Sequence, residues 1–196
     1  TGVQKGGADA GKSVDTTAAL ASNGFGVGIT TGTFTINDEV ITVEKDDTLT
    51  TIFTKVTTAD SDLSISYNSS TDKITLSSSS GKTLLLGSSN DSSNFLVASR
   101  LNNNGTSSVV SSFKLGGISQ ASALSDANFN TTLVGSSGSF RVNGETVTWS
   151  SSDTVGAILA SITQSGGGVV AGYDGVNDRF LLTNNTTGDI GISLED

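Results

Sequence analysis

Residues 138–182 read GSFRVNGETVTWSSSDTVGAILASITQSGGGVVAGYDGVNDRFLL, and residues 32–76 read GTFTINDEVITVEKDDTLTTIFTKVTTADSDLSISYNSSTDKITL. The two stretches align without a gap at an offset of 138 − 32 = 106. Identities fall at Gly32/Gly138, Phe34/Phe140, Asn37/Asn143, Asp47/Asp153, Tyr67/Tyr173 and Asp72/Asp178. Elsewhere the class is kept, as at Ile36/Val142, Ile41/Val147 and Phe53/Leu159. A repeated apolar pattern repeats a core, so the chain reads as one structural unit written twice.

Within each copy the periods change in order. Phe34 and Ile36, then Ile41 and Val43, alternate with polar residues on either side of Asn37-Asp38. Two period-two runs joined by residues that tolerate positive φ predict a β-hairpin, and Asn143-Gly144 carries the stronger form of the same signal. Leu49, Ile52, Phe53 and Val56, matched by Val155, Ile158, Leu159 and Ile162, have the spacing of one helical face. Asp47 and Asp153 are candidate N-caps, with Thr48 and Thr154 competing for the role. Burying four such side chains contributes roughly 6–12 kcal/mol gross, enough to hold a Thr-rich helix on a sheet although it would not persist alone.

A second hairpin follows, with Leu63, Ile65, Tyr67, Ile74 and Leu76 around a turn at 68–72, and Val169, Ala171, Tyr173, Phe180 and Leu182 around a turn at 174–178. Leu84 to Leu86, or Ile190 to Leu194, supplies a further strand. The fold class expected is α+β and β-rich: two tandem related domains, each a small antiparallel sheet packed on one short helix. The first domain is assigned to 1–107 with its repeat unit at 32–87, and the second to 108–196 with its repeat unit at 138–194. The boundary is left open, as is an exchange of connecting strands between the domains.

Outside the copies the signals are weaker. Residues 1–12 are Gly-rich without an apolar period and read as a frayed end or extended connection. Residues 13–31 read as a flexible strand or loop leading into the first copy. Their GFGVG run does not meet the dinucleotide pattern GxGxxG, and no strand, helix and downstream acid frame it, so its glycines are taken as punctuation. The connector 88–137 shows an apolar cluster at Phe95 to Ala98, a loop at 102–105 and a strand-like run from Val109 to Leu115. Its later part, ISQASALSDANFNTTL, is expected to wrap onto one of the units.

Composition removes whole classes of function. A net charge of −9 with ten Lys and Arg, none clustered, opposes binding to nucleic acid or anionic membrane. No apolar run approaches the roughly 20 residues that cross a bilayer, so no membrane insertion is expected. Without Cys there are neither disulfides nor thiolate metal sites. Without His there are no Ser/His/Asp or Cys/His relays and no His-ligated zinc. The chain lacks an initiator Met and is expected to be a fragment.

What remains for chemistry is thin. SxxK occurs at Ser70/Lys73, Ser79/Lys82 and Ser111/Lys114, as a Ser-rich composition produces unaided, with no SDN or KTG partner. Glu44, Asp46, Asp47, Asp174, Asp178 and Asp189 could supply paired carboxylates, but capping and turn formation account first for Asp47 and for the Asp72/Asp178 pair. Asp174, Asp178 and Asp189 lack EF-hand spacing for calcium. Trp149, Tyr67 and Tyr173 could stack on sugars, although their repeat positions favour core packing. No catalytic, cofactor-binding or metal residue is assigned, no cofactor is expected, and no enzyme is expected.

The GTFTIN and GSFRVNG openings, the DTL and DTV helix starts and the VVAGYDGVNDRFLLT hairpin together resemble the flagellin hook IN motif. Their pairing, with ASALSDANF before one copy and SSNFLVASRL after the other, resembles the middle region of the flagellar filament cap family, also called hook-associated protein 2. Asp38 departs from the Gly usual in that motif. The resemblance implies the head domains of a homo-oligomeric cap at the distal, extracellular end of the flagellum, supporting flagellin assembly beneath it, exported without a cleaved signal. The competing reading is an adhesin-like module that binds host glycans or mucin through loops at 102–105 and 174–178.

Overall fold

A computed structural model describes residues 2–187 and 191–196. Along the chain run β1 (Val3–Lys5), β2 (Gly32–Ile36), β3 (Glu39–Val43), α1 (Leu49–Ala59), β4 (Leu63–Asn68), β5 (Lys73–Ser78), α2 (Phe95–Ala98), β6 (Ser108–Val110), β7 (Ser137–Val142), β8 (Glu145–Ser150), α3 (Val155–Gln164), β9 (Val169–Asp174), β10 (Arg179–Asn184) and β11 (Leu194–Glu195). Short helices against small antiparallel sheets make the protein α+β and β-rich.

The backbone forms two compact units. One, the insert, is Ser13–Gly116, and the other, the host, is Thr1–Lys12 together with Gly117–Asp196. The repeat places the division near 107/108, with the boundary and an exchange of connecting strands left open. By backbone contacts the chain changes unit twice, because residues 2–12 are structured as part of the host and are not a frayed end. Val3–Lys5 completes a host sheet, pairing Gln4 with Leu182, and Gly6 N donates to the Phe180 carbonyl at 2.9 Å.

In the insert, β2 and β3 pair with Phe34 opposite Ile41. Asn37 and Asp38 take φ of 50° and 68° at the turn between them. Two consecutive positive φ values define the turn that suits a twisted hairpin. Leu86 forms a bridge to Ile36 on the other side of β2. The second sheet has the order β4-β5-β6, Leu76 standing opposite both Ile65 and Val109. Helix α1 closes the core with Leu49, Ile52 and Val56 buried and Phe53 partly buried against the same cluster. Thr48, rather than Asp47, is the N-cap, in a reciprocal capping box with Thr51.

The host repeats five of these elements in the same order, β7, β8, α3, β9 and β10 standing for β2, β3, α1, β4 and β5. The β7–β8 turn places Asn143 and Gly144 at φ of 52° and 85°, and β11 pairs with β7, Leu194 opposite Val142. Its other sheet has the order β1-β10-β9, with β1 on the edge of β10 that corresponds to the edge of β5 taken by β6. Helix α3 is capped by Thr154 and buries Val155, Leu159 and Ile162. Of the further strand expected at Ile190 to Leu194, the strand described is Leu194–Glu195, and residues 188–190 lie outside the described part.

The stretches ahead of each copy also correspond. Val14, Leu20 and Phe25 are buried in the insert, and Ile118 and Leu124 are buried in the host with Phe129 packed beside them. Leu20 N donates to the Asp47 carbonyl and Leu124 N to the Asp153 carbonyl, each at 2.8 Å. The offset here is 118 − 14 = 104, so residues 14–25 are not a free lead-in but the counterpart of the wrapping segment ISQASALSDANF.

Candidate functional site

Several of the polar residues singled out in the sequence serve as internal braces. In the insert, the Asp72 carboxylate accepts Tyr67 OH at 2.6 Å, Gly116 N at 2.7 Å and Val14 N at 3.2 Å, while its carbonyl accepts Leu115 N at 2.9 Å. One side chain thereby fixes both ends of the insert to the turn after β4. Burial, then the hydrogen bond to Asp72 and its negative charge, pushes the Tyr67 phenol well above its ordinary range, so Tyr67 remains a donor.

The host repeats the device. Asp178 accepts Gly11 N through both oxygens, at 2.9 and 3.1 Å, and also Tyr173 OH; its carbonyl accepts Ala10 N at 2.9 Å. Tyr173 OH in turn accepts Ile118 N at 2.9 Å. With Asp72 and Asp178 3% and 5% exposed, these acids are structural ties and not solvent-facing ligands. Trp149 is partly buried and packs across Gly138, where a Cβ would come within 3.0 Å of the indole nitrogen. The three aromatic side chains are therefore occupied in packing or in these ties.

Two further ties were not foreseen. Asn37 Oδ1 accepts Leu85 N at 2.9 Å while Asn37 N donates to the Leu85 carbonyl at 2.8 Å; Asn143 makes the same two bonds to Ser193, both at 2.9 Å. The hairpin asparagine thus supplies positive φ and also mimics a strand partner for the third segment. Asp47 and Asp153 each accept, at 2.7 Å, the backbone N–H three residues before them, at Glu44 and Ser150. Lys55 adds an ion pair to Asp47 at 2.7 Å and a looser one to Glu44 at 3.4 Å.

Several of the candidate catalytic groups are bonded within the fold too. Ser111 is buried, donates to the Ser99 carbonyl at 2.8 Å and accepts Ile74 N at 3.0 Å. Lys73 Nζ reaches the Ser112 carbonyl, and Ser70 N is held by Asn68. Asp174 accepts Asn177 Nδ2, Asn177 N and Val176 N within its turn and pairs with Arg179 at 3.4 Å. The Asn177 side-chain bond and then its backbone bond hold the Asp174 carboxyl below the ordinary value, against a smaller effect of burial. Asp189 lies outside the described residues. Among the described residues no group of three or more acidic, His or Cys side chains is placed to hold a metal ion.

The surface feature that stands out is apolar. A groove of about 520 Å³ opens in the host, lined by Phe140, Ile158, Phe180 and Leu182 with Leu194 and Glu195 at one side. The insert counterparts of the first four, Phe34, Ile52, Ile74 and Leu76, are all 0% exposed. There the space is filled by Leu84, Leu86 and α2, whose Phe95 ring stacks on Phe34 at 4.6 Å between centroids and 22° between planes. The same framework is closed in one unit and open in the other.

Comparison with known proteins adds one relationship. The chain is similar to a flagellar hook-associated protein 2. That relative, from Thermotoga maritima, is 31% identical over 156 residues, covering 76% of this chain and 26% of the relative. The chain therefore spans about a quarter of the relative's length. No protein-family model matches the chain, and no solved structure matches it. No described helix is long and apolar enough to cross a membrane.

Proposed function

We propose that this chain is a structural head region of a flagellar filament cap, supporting flagellin assembly at the distal, extracellular end of the filament as part of a homo-oligomer. The observation that carries the reading is the similarity to the Thermotoga maritima hook-associated protein 2 across three quarters of the chain. The fate of the polar residues agrees with it. The buried carboxylates Asp72 and Asp178 and the tyrosines Tyr67 and Tyr173 are spent on holding the segments that lead into and out of each unit, as a scaffold requires.

The mechanism is mechanical. Each unit fixes the segments that flank its repeat through a buried Asp and Tyr and its third segment through the hairpin Asn, so that surface loops are carried on rigid sheets. Deleting residues 13–116 or 1–196 from the full-length protein, and measuring filament length and cap formation, tests the proposal. Shortened filaments or shed flagellin are expected; normal growth with an intact cap would remove the assembly role.

A further inference from the structure

We infer that the host groove is completed in cis by a short apolar turn, led by a large aromatic or aliphatic residue, from chain following Asp196. The insert is the internal control. Its four groove-equivalent side chains are fully buried, and Phe95, in the segment that follows Leu86, stacks on Phe34. In the host the same strand position is occupied by Leu194–Glu195, and Glu195 and Asp196 already stand at the groove. The chain is thus delivered to the place where the insert's chain turns, at Gly87, toward α2.

The register gives the distance. Leu86 faces Ile36 and Leu194 faces Val142, equivalent positions in the repeat. Phe95 lies 95 − 86 = 9 residues past Leu86, so the sealing residue is expected about nine residues past Leu194. The chain spans only a quarter of its relative, which leaves length for such a segment. An open apolar face of this size is otherwise a liability to association, which is a physical reason for a cis plug. The inference rests on the repeat and is independent of the flagellar reading, so either can fail alone.

The chain contains no cysteine, so a single introduced thiol reports on one position. Ile158→Cys is placed in residues 1–196 and in the natural longer protein, with Leu182→Cys as the second variant should the first fail to fold. Val134→Cys, at an 87% exposed site, serves as the open control, and Ile52→Cys as the closed one. Maleimide labelling at 158 or 182 is expected to slow about tenfold or more in the longer protein. Replacing by Ala the large apolar residue found about nine positions past Leu194 should restore it. Equal labelling in both proteins, slowing that grows with protein concentration and so marks a second copy, or no response to that Ala replacement would each overturn the inference.

Discussion

On a residue at positive φ, the Asp72 carboxylate gathers the backbone N–H groups of Val14 and Gly116 and that of Asp178 takes the N–H of Gly11, each together with a tyrosine hydroxyl. An ionised carboxylate suits this position because it only accepts, and hydrogen bonds to charge are worth about 1.5–3 kcal/mol each when buried. Asp72→Asn keeps the shape but turns an NH₂ group toward donors. Urea unfolding should show the insert less stable by about 2–3 kcal/mol, and a loss within experimental error would mean the ends of the insert are held by other contacts. Both acids were legible as turn residues from their repeat positions. Their partners were not, because Gly11, Val14 and Gly116 contribute through backbone N–H groups that no side-chain pattern marks. The same holds for Asn37 and Asn143, where turn chemistry was readable and the tie to Leu85 or Ser193 was not.

At the level of elements, hairpins and helices followed from period and turn signals because local geometry decides them. The caps fell to Thr48 and Thr154 since a hydroxyl there reaches the N3 amide while the preceding Asp braces the strand end. The pair formed by Asp47 and Lys55 makes α1 the more pH-sensitive helix. For Asp47, burial raises the pKa but is outweighed by the Lys55 and Glu44 hydrogen bonds and the Lys55 charge, leaving it below 3.8; for Lys55, burial lowers the pKa but the hydrogen bond and charge of Asp47, then the charge and side-chain bond of Glu44, leave it above 10.5. The carboxylate's share of stability is therefore complete above its unfolded value and lost as pH falls through the lowered one. The ammonium's share is complete below 10.5 and lost as pH rises through the raised one. Lys55→Ala should thus cost a constant amount, about 0.2–1 kcal/mol for a partly exposed pair, across the neutral range, with the difference vanishing in acid below the Asp47 titration. Thermal melts of both proteins at a series of pH values measure it. A difference that grew as pH fell would contradict the assignment.

For the whole molecule, the two-unit plan was visible in the 106-residue offset, whereas the path between units was not. Residues 3–5 form a three-residue strand flanked by glycines, too short for a period to register, and the match of residues 14–25 with 118–129 hides behind a two-residue change of offset. The sheet inventory yields a direct expectation. Residues 13–116 contain every strand of both insert sheets, so that fragment should unfold cooperatively alone. Residues 117–196 lack β1 and the Gly11 partner of Asp178, and should show a broad, non-cooperative transition by circular dichroism that sharpens when residues 1–12 are present.

Gly11 lies so near Gly117 that a Cβ on it would come within 2.7 Å of Gly117 backbone atoms. The polypeptide therefore leaves the host and comes back to it through what amounts to a single doorway, its two threads side by side. Whatever is strung between them has only to begin and finish at neighbouring points. A cassette of another size, or a bare tight loop, could be spliced at that junction while the surrounding architecture stays as drawn.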